Sequence, residues 1–410
     1  MAPPRSPLAP EGFPEIPAIA GVRLAACAAG LRYRGRPDLA LIELAEGTTV
    51  AGLLTRSAIP GHPVVWCRRI LPRGRARGLI VNAGCANVLV GAAGDAAVRA
   101  EAEEVAAILG GEPEDVFVAS TGVIGEPLPV DKVVAALPGL HEQLSPTAWR
   151  GAADAIRTTD TFAKGSFAQA MIGGTEVTIA GIAKGSGMIA PDMATLLAFV
   201  FTDAALPAAV LQPLLADANE RSFHAITVDS DSSTSDMLLL FATGRAAHRP
   251  PAAWDDPALA DFRAALDRVL IDLAQQVVRD GEGASKLITI AVSGAVSDRS
   301  ARRIALSVAN SPLLKTAIAG EDANWGRVVM AVGKSGEPVE PERLAISFGG
   351  HAVAHAGARR PDLDEAPVAA HLKEREIRID VSVGRGPGQA VVWTCDLTHD
   401  YIAINADYRS

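Results

Sequence analysis

Aromatic side chains are scarce, with Phe, Trp and Tyr making up only 4% of the 410 residues. Cores must therefore be built from Ala, Val, Leu and Ile. Cysteine is equally thin: there are four, at positions 27, 67, 85 and 395, without a close pair. That excludes a disulfide-framed fold and a cysteine metal centre, and favours a reducing compartment. No apolar run approaches the roughly 18 residues a membrane-spanning helix needs, and the stretch from Leu196 to Phe201 is soon closed by polar residues. Basic charge does not dominate either. Against 47 Asp and Glu stand 38 Lys and Arg, and the net charge of -9 argues against nucleic acid or an anionic membrane as the main partner.

What is present is an apolar fraction of 49%, too high for a disordered chain and spread over enough length for two or more domains. The 38 Gly and 27 Pro exceed the roughly 12% of average chains and imply many tight turns. The stretch Met1 to Pro17 is Pro-rich, carries one Arg and lacks the basic start and apolar segment of a secretion signal. Residues 1–20 thus read as a flexible leader on the surface of a soluble, cytoplasmic protein.

Helix-like and strand-like patterns interleave, which places the chain in the α/β or α+β class. A helix is predicted from about Asp95 to Leu109, with Asp95 as its cap and Gly110-Gly111 as its end. The run Val116 to Ala119 reads as a buried strand that stops at Ser120-Thr121-Gly122. From about Pro257 to Asp280, Leu259, Phe262, Leu266, Val269, Leu270, Leu273 and Val277 draw one apolar stripe at helical spacing. Gly281 is placed for a left-handed cap that delivers Glu282 into a Gly-Glu-Gly turn before the strand-like run Leu287 to Val292. Between Thr175 and Phe201, two strand-like runs flank the loop from Lys184 to Asp192. Leu196 to Phe201 reads as a strand buried on both faces, with Thr195 at its head.

Several short motifs fail when counted. Gly333-Lys334-Ser335 resembles the end of a phosphate loop, but Val328 stands where the first Gly is required. Gly185, Gly187 and Ala190 match a dinucleotide fingerprint in letters, yet Pro191 and a strand replace the helix that should hold the pyrophosphate. His351 and His355 have a spacing that zinc could use on a helix, but the flanking Gly349, Gly350 and Gly357 favour solvated loop histidines. The arginines at 68, 69, 73, 75 and 77 have no interleaved aromatics and read as a solvated loop. No motif indicates a metal or a cofactor.

Thr195 carries a possible chemistry. A threonine hydroxyl needs an adjacent base, and its own α-amino group can serve if the chain is cut just before it. Ala194-Thr195, in a tight loop at the start of a core strand, suits such self-cleavage, although Thr is also an ordinary strand residue.

The surrounding residues sharpen this reading. AKGSGMIAPDMATLLAFVFTDA from Ala183, RYRGRPDLALIEL from Arg32, STGVIGEPL from Ser120, TTDTF from Thr158 and TVDSDSSTSD from Thr227 are long and specific. So are DGEGASK from Asp280, SPLLKTAIAGEDANWGR from Ser311 and the terminal INADYRS. With them the chain resembles, from about Gly21 to Ser410, the ornithine acetyltransferases, or glutamate N-acetyltransferases, of arginine biosynthesis. The resemblance implies an α+β, four-layer α/β/β/α sandwich of the self-cleaving N-terminal-nucleophile type, with a smaller α/β lobe from about residue 300. It also implies cleavage between Ala194 and Thr195 into chains 21–194, preceded by the leader, and 195–410. Two copies of each would assemble.

In that family the new N-terminal threonine, here Thr195, takes acetyl from N-acetylornithine as an ester, releases ornithine and passes the acetyl to glutamate, giving N-acetylglutamate. Acetyl-CoA as a further donor stays open. Thr121 and Gly122 match the oxyanion-stabilising pair. Lys184 matches a substrate-binding lysine suited to an α-carboxylate, where a surface lysine is the plainer reading. Glu282, Thr158, Asn405 and Ser410 match the remaining substrate contacts, Glu282 also as a group that moves protons. Asp192, VNAGCAN at Val81 to Asn87, and Ser230, Ser232 and Ser235 depart from the family pattern without removing a nucleophile or an oxyanion donor. Rival readings are an aminopeptidase or amidase of the same fold with water as acceptor, a nucleotide-dependent enzyme, and a non-catalytic binding protein.

Overall fold

The computed structural model describes residues 4–190 and 196–407. Ala194, Thr195 and Ser410 lie outside them. In chain order come β1 (Val22–Cys27), β2 (Leu39–Leu44), β3 (Thr49–Leu54), α1 (His62–Ile70), β4 (Gly78–Cys85), α2 (Ala92–Leu109), β5 (Val116–Val123), α3 (Val130–Glu142) and α4 (Trp149–Ala155). Next are β6 (Lys164–Ile172), β7 (Thr175–Lys184), β8 (Leu197–Thr202), α5 (Ala208–Glu220), β9 (Met237–Ala242) and α6 (Ala260–Arg279). The last part holds β10 (Leu287–Ala295), α7 (Asp298–Ala309), α8 (Pro312–Ala319), α9 (Trp325–Gly333), β11 (Ala345–Phe348), β12 (His351–His355) and β13 (Ala358–Arg359). It closes with α10 (Glu365–Leu372), β14 (Glu376–Ser382), β15 (Gly388–Cys395) and α11 (His399–Asp407).

One sheet is ordered β1-β2-β4-β5 and a second β3-β9-β8-β7-β6. Each contains a parallel pair, β4 with β5 and β8 with β9, and such a pair requires a long crossover. Helix α2 supplies the first and α5 the second. The sheets face one another, with Phe117 of β5 meeting Phe241 of β9 edge-on at 5.8 Å. Alternation along β8 and β9 does the rest. Phe199, Phe201, Leu239 and Phe241 join the core between the sheets, whereas Ala198, Val200, Leu238 and Leu240 join the core beneath α5 and α6. Helices α1, α2 and α3 cover the outer face of the first sheet, completing an α/β/β/α sandwich. Strands buried on both faces explain why these runs are apolar without alternation. The C-terminal lobe has its own core around the sheet β13-β12-β11-β14-β10-β15, which begins at Leu287.

Local expectations differ from the structure in five places. Helix α2 starts at Ala92 behind Gly91, so Asp95 is not its cap and instead accepts from His62 Nδ1 at 2.8 Å. Strand β5 runs on through Thr121 and Gly122 to Val123, because β4 continues beside it. The left-handed glycine after α6 is Gly283, at φ 73°, rather than Gly281. Gly281 answers a packing demand, since a Cβ there would lie 2.8 Å from Cys395 Sγ. His351 and His355 sit on strand β12 rather than in a loop, both exposed. Finally, the leader is tied down. Leu8, Ile16 and Ile19 are buried in the two sandwich cores and Ser6 Oγ donates to Arg279 O at 2.5 Å. Prolines spare this segment unpaired backbone donors, so its few apolar side chains can dock without a sheet partner.

Candidate active site

Three strand ends meet between the two sheets. β7 and β8 are paired antiparallel with Lys184 opposite Leu197, the second residue after Thr195 in the sequence. β5 brings Thr121 and Gly122 to the same end from the facing sheet. The residue after Thr195 is firmly held: Leu196 N–H donates to Asp236 Oδ1 at 2.6 Å, and Leu196 O accepts from Met237 N–H at 3.0 Å. Burial pushes the Asp236 carboxyl well above its ordinary range, against the pull of the Leu196 amide and the Lys184 ammonium.

Lys184 is only 3% exposed, which removes the surface-lysine reading. Its Nζ donates to Thr158 Oγ1 at 2.9 Å and to Thr121 Oγ1 at 3.3 Å, and lies 4.0 Å from Asp160 Oδ2. Burial lowers the Lys184 pKa, while Asp160, Asp236 and Glu282 favour the charged form and Lys164 opposes it. Gly122, at φ 130°, crosses Gly84 so closely that a Cβ would fall 2.3 Å from the Gly84 carbonyl carbon. Only glycine allows so close an approach at this φ, where the pairing of β4 with β5 becomes irregular.

Glu282 is reached from the other side of the loop. Its N–H donates to Ser186 O at 2.9 Å, and a Cβ on Gly187 would lie 2.7 Å from the Glu282 carboxyl carbon. Gly187 thus permits the carboxylate to rest on the loop. Helix α11 folds back here: Asn405 Nδ2 donates to Glu282 Oε2 at 2.8 Å, and Thr398 Oγ1 to Gly283 O at 2.7 Å. The structure therefore unites Thr121, Thr158 and Lys184 in one cluster and Glu282 with Asn405 in another. The loop Gly185 to Gly187 joins them, with Ser186 Oγ 2.6 Å from Thr159 Oγ1.

Sequence reasoning missed the charges beneath this cluster. Lys164 Nζ donates to Asp160 Oδ1 at 2.6 Å and to Asp280 Oδ2 at 2.5 Å, all three side chains wholly buried. Burial opposes ionisation of Asp160, but the Lys164 and Lys184 ammoniums outweigh it and hold its carboxyl well below the usual range. The one available signal was that Asp160 and Asp280 fall within long motifs. The arginine run, by contrast, is spent on its surroundings. Arg73 and Arg75 pair with Glu112 and Asp115, Arg77 with Glu43, and Arg69 lies over Trp66. Among the described residues no helix is long and apolar enough to cross a membrane.

Fold and site together define an α+β protein of the four-layer sandwich class, with its polar residues gathered where strand ends of the two sheets meet. The sequence profile of the ArgJ family matches residues 23–410, and the chain belongs to that family. The resemblance drawn from the motifs is to the same enzymes. An arginine biosynthesis bifunctional protein ArgJ from Gluconobacter oxydans is 58% identical, covering 99% of this chain and 96% of the relative. One from Bradyrhizobium diazoefficiens is 54% identical, covering 99% of both. Among solved structures, Bacillus halodurans ArgJ is 39% identical over 50% of this chain and 96% of that chain, with a TM-score of 0.49. Mycobacterium tuberculosis ornithine acetyltransferase, solved with ornithine, is 35% identical over 44% and 94%, with a TM-score of 0.37.

Proposed function

We propose that this chain is a glutamate N-acetyltransferase of arginine biosynthesis that cuts itself between Ala194 and Thr195 and works through an acetyl ester on Thr195. The observation that carries the reading, within this family, is the buried Lys184 ammonium bonded to the Thr121 and Thr158 hydroxyls, on a strand end that stands opposite Leu197. In the first half-reaction Thr195 Oγ attacks the acetyl carbon of N-acetylornithine, its proton passing to the Thr195 α-amino group. The tetrahedral oxyanion is met by donors at Thr121 and Gly122. The carbon–nitrogen bond then breaks and ornithine leaves with that proton. In the second, the glutamate amine attacks the ester, and N-acetylglutamate leaves as the threonine hydroxyl is restored. Lys184 and Thr158 hold the α-carboxylate common to both amino acids, and Glu282, steadied by Asn405, holds or moves protons at the amine. Ser410, outside the described residues, is the remaining substrate contact that the family resemblance implies.

The relatives are named bifunctional, and the second activity proposed for this chain is acetyl transfer from acetyl-CoA to glutamate. The working molecule is two copies each of chains 1–194 and 195–410, in the cytoplasm. Four unpaired thiols at Cys27, Cys67, Cys85 and Cys395 agree with a reducing compartment. A denaturing gel tests the mechanism: wild type should give two fragments, and Thr195→Ala one band without acetyl transfer. An uncleaved, fully active chain would overturn it. Supplying glutamate with N-acetylornithine, or with acetyl-CoA alone, and measuring N-acetylglutamate tests each donor. Acetate released without N-acetylglutamate would favour the hydrolase reading.

A further inference from the structure

We propose that Asp160 is a positioning residue that, anchored to the Gly185 amide, presents Lys184 and Thr158 as one rigid face for the substrate α-carboxylate. The inference rests on the reading of Lys184 given above. One carboxylate organises all three groups. Asp160 Oδ2 accepts from Thr158 N–H at 3.0 Å and lies 4.0 Å from Lys184 Nζ. Asp160 Oδ1 accepts from Gly185 N–H at 2.7 Å and from Lys164 Nζ at 2.6 Å. Thr158 is thereby fixed at its backbone, and its hydroxyl accepts from Lys184 at 2.9 Å.

Donor arithmetic shows what this leaves for a ligand. An ammonium has three N–H donors, and Lys184 spends two on threonine hydroxyls, so one remains. Each hydroxyl that accepts from Lys184 keeps its own proton to donate. The face therefore offers a substrate a charged N–H and two O–H groups polarised by the same cation. Hydroxyl partners do not neutralise a buried ammonium. The groups acting on Lys184 are Asp160, Asp236 and Glu282, which favour its charge, and Lys164, which opposes it. Of these, Asp160 is the one ion-paired with it at 4.0 Å. Burial already lowers the Lys184 pKa, and without that carboxylate it falls further, so Lys184 gives up its proton at a lower pH.

Asp160→Asn should therefore move the alkaline limb of glutamate binding, measured as KM against pH and by calorimetry, downward by about 1–3 pH units. Asp280→Asn is the control. It removes a charge from the same buried network, but Asp280 bonds Lys164 and Thr161 rather than Lys184. It should lower stability while leaving the limb in place, and Asp160→Glu should return the limb toward wild type. Should Asp160→Asn fail to fold because Lys164 keeps only Asp280 as counter-ion, the double variant Asp160→Asn/Lys164→Met should show the same downward shift when read against Lys164→Met alone. The loss of Lys164, which by itself favours the Lys184 charge, is then common to both. A folded Asp160→Asn whose limb coincides with wild type, or a double variant whose limb coincides with that of Lys164→Met, would overturn the inference. Acetyl transfer absent from wild type itself would instead sink the proposed function.

Discussion

Lys164 Nζ stands 2.5 Å from Asp280 Oδ2, both side chains fully buried, and the pair bridges the two segments that cleavage before Thr195 would separate. A buried pair adds little over a well-packed apolar substitute, but removing Asp280 leaves the buried Lys164 with Asp160 alone, a counter-ion it shares with Lys184. Asp280→Asn should cost about 3–5 kcal/mol in denaturant unfolding, and the cleaved fragments should separate at lower denaturant. Unfolding within about 1 kcal/mol of wild type would show that the pair has no such role.

Gly122 and Thr121 should separate positioning from folding. Thr121→Ala removes a hydroxyl and should slow acetyl transfer by roughly 10²–10³ with unfolding little changed, as when one oxyanion donor is lost. Gly122→Ala must lodge a Cβ 2.3 Å from the Gly84 carbonyl carbon at φ 130°, so it should lose stability and activity together. Circular dichroism melting beside turnover distinguishes the two patterns. A Thr121→Ala enzyme with near-normal turnover would remove Thr121 from the oxyanion role.

Glu101 on α2 offers a test of stability against pH. Its carboxyl is fully buried, neither oxygen has a hydrogen-bond partner among the described residues, and burial pushes its pKa from 4.5 up to about 8. Between those two values the unfolded chain has released this proton and the folded chain has kept it. The folded state therefore binds more protons, and this group's contribution to stability falls as pH rises from about 4.5 to 8. The loss amounts to a few kcal/mol, taking ~1.4 kcal/mol per unit. Glu101→Gln should flatten that slope and be the more stable protein at pH 8. Identical slopes in chemical denaturation at pH 5 and pH 8 would contradict the assignment.

Asn405 ties helix α11 to Glu282. Asn405→Ala frees the carboxylate and should raise KM for glutamate roughly tenfold, the loss of one charge-assisted hydrogen bond, with the melting temperature unchanged. Deleting residues 399–410 should have a larger effect in the same direction. A truncated enzyme with wild-type KM would mean that the chain end plays no part in the pocket.

Much of the fold was legible because its signals are local. The 3.6-residue stripe from Leu259 to Val277 is helix α6 and its preceding turn, and Gly110 ends α2 at φ 73°. The continuously apolar run at Leu196 to Phe201 is a strand with helices on one side and a sheet on the other. Where prediction strayed, a distant neighbour intervened. β5 outlasts Ala119 because β4 keeps pairing with it, and Gly281 is glycine because Cys395 sits against it. The leader is ordered because grooves in both cores receive Leu8, Ile16 and Ile19.

The candidate site divides along the same line. Long colinear motifs carried the family and the residue types that its chemistry needs, since these reside in the order of side chains along the chain. Which charges lose their water could come only from packing. Lys164 and Asp280 are 116 positions apart, and Lys184 and Thr121 are 63 apart and on facing sheets. A lysine in a list of letters is a solvated surface cation; between two sheets, with a carboxylate and two hydroxyls around it, it becomes a fixed buried charge. Desolvation belongs to neighbours in space, and that is why the tertiary structure alone decided it.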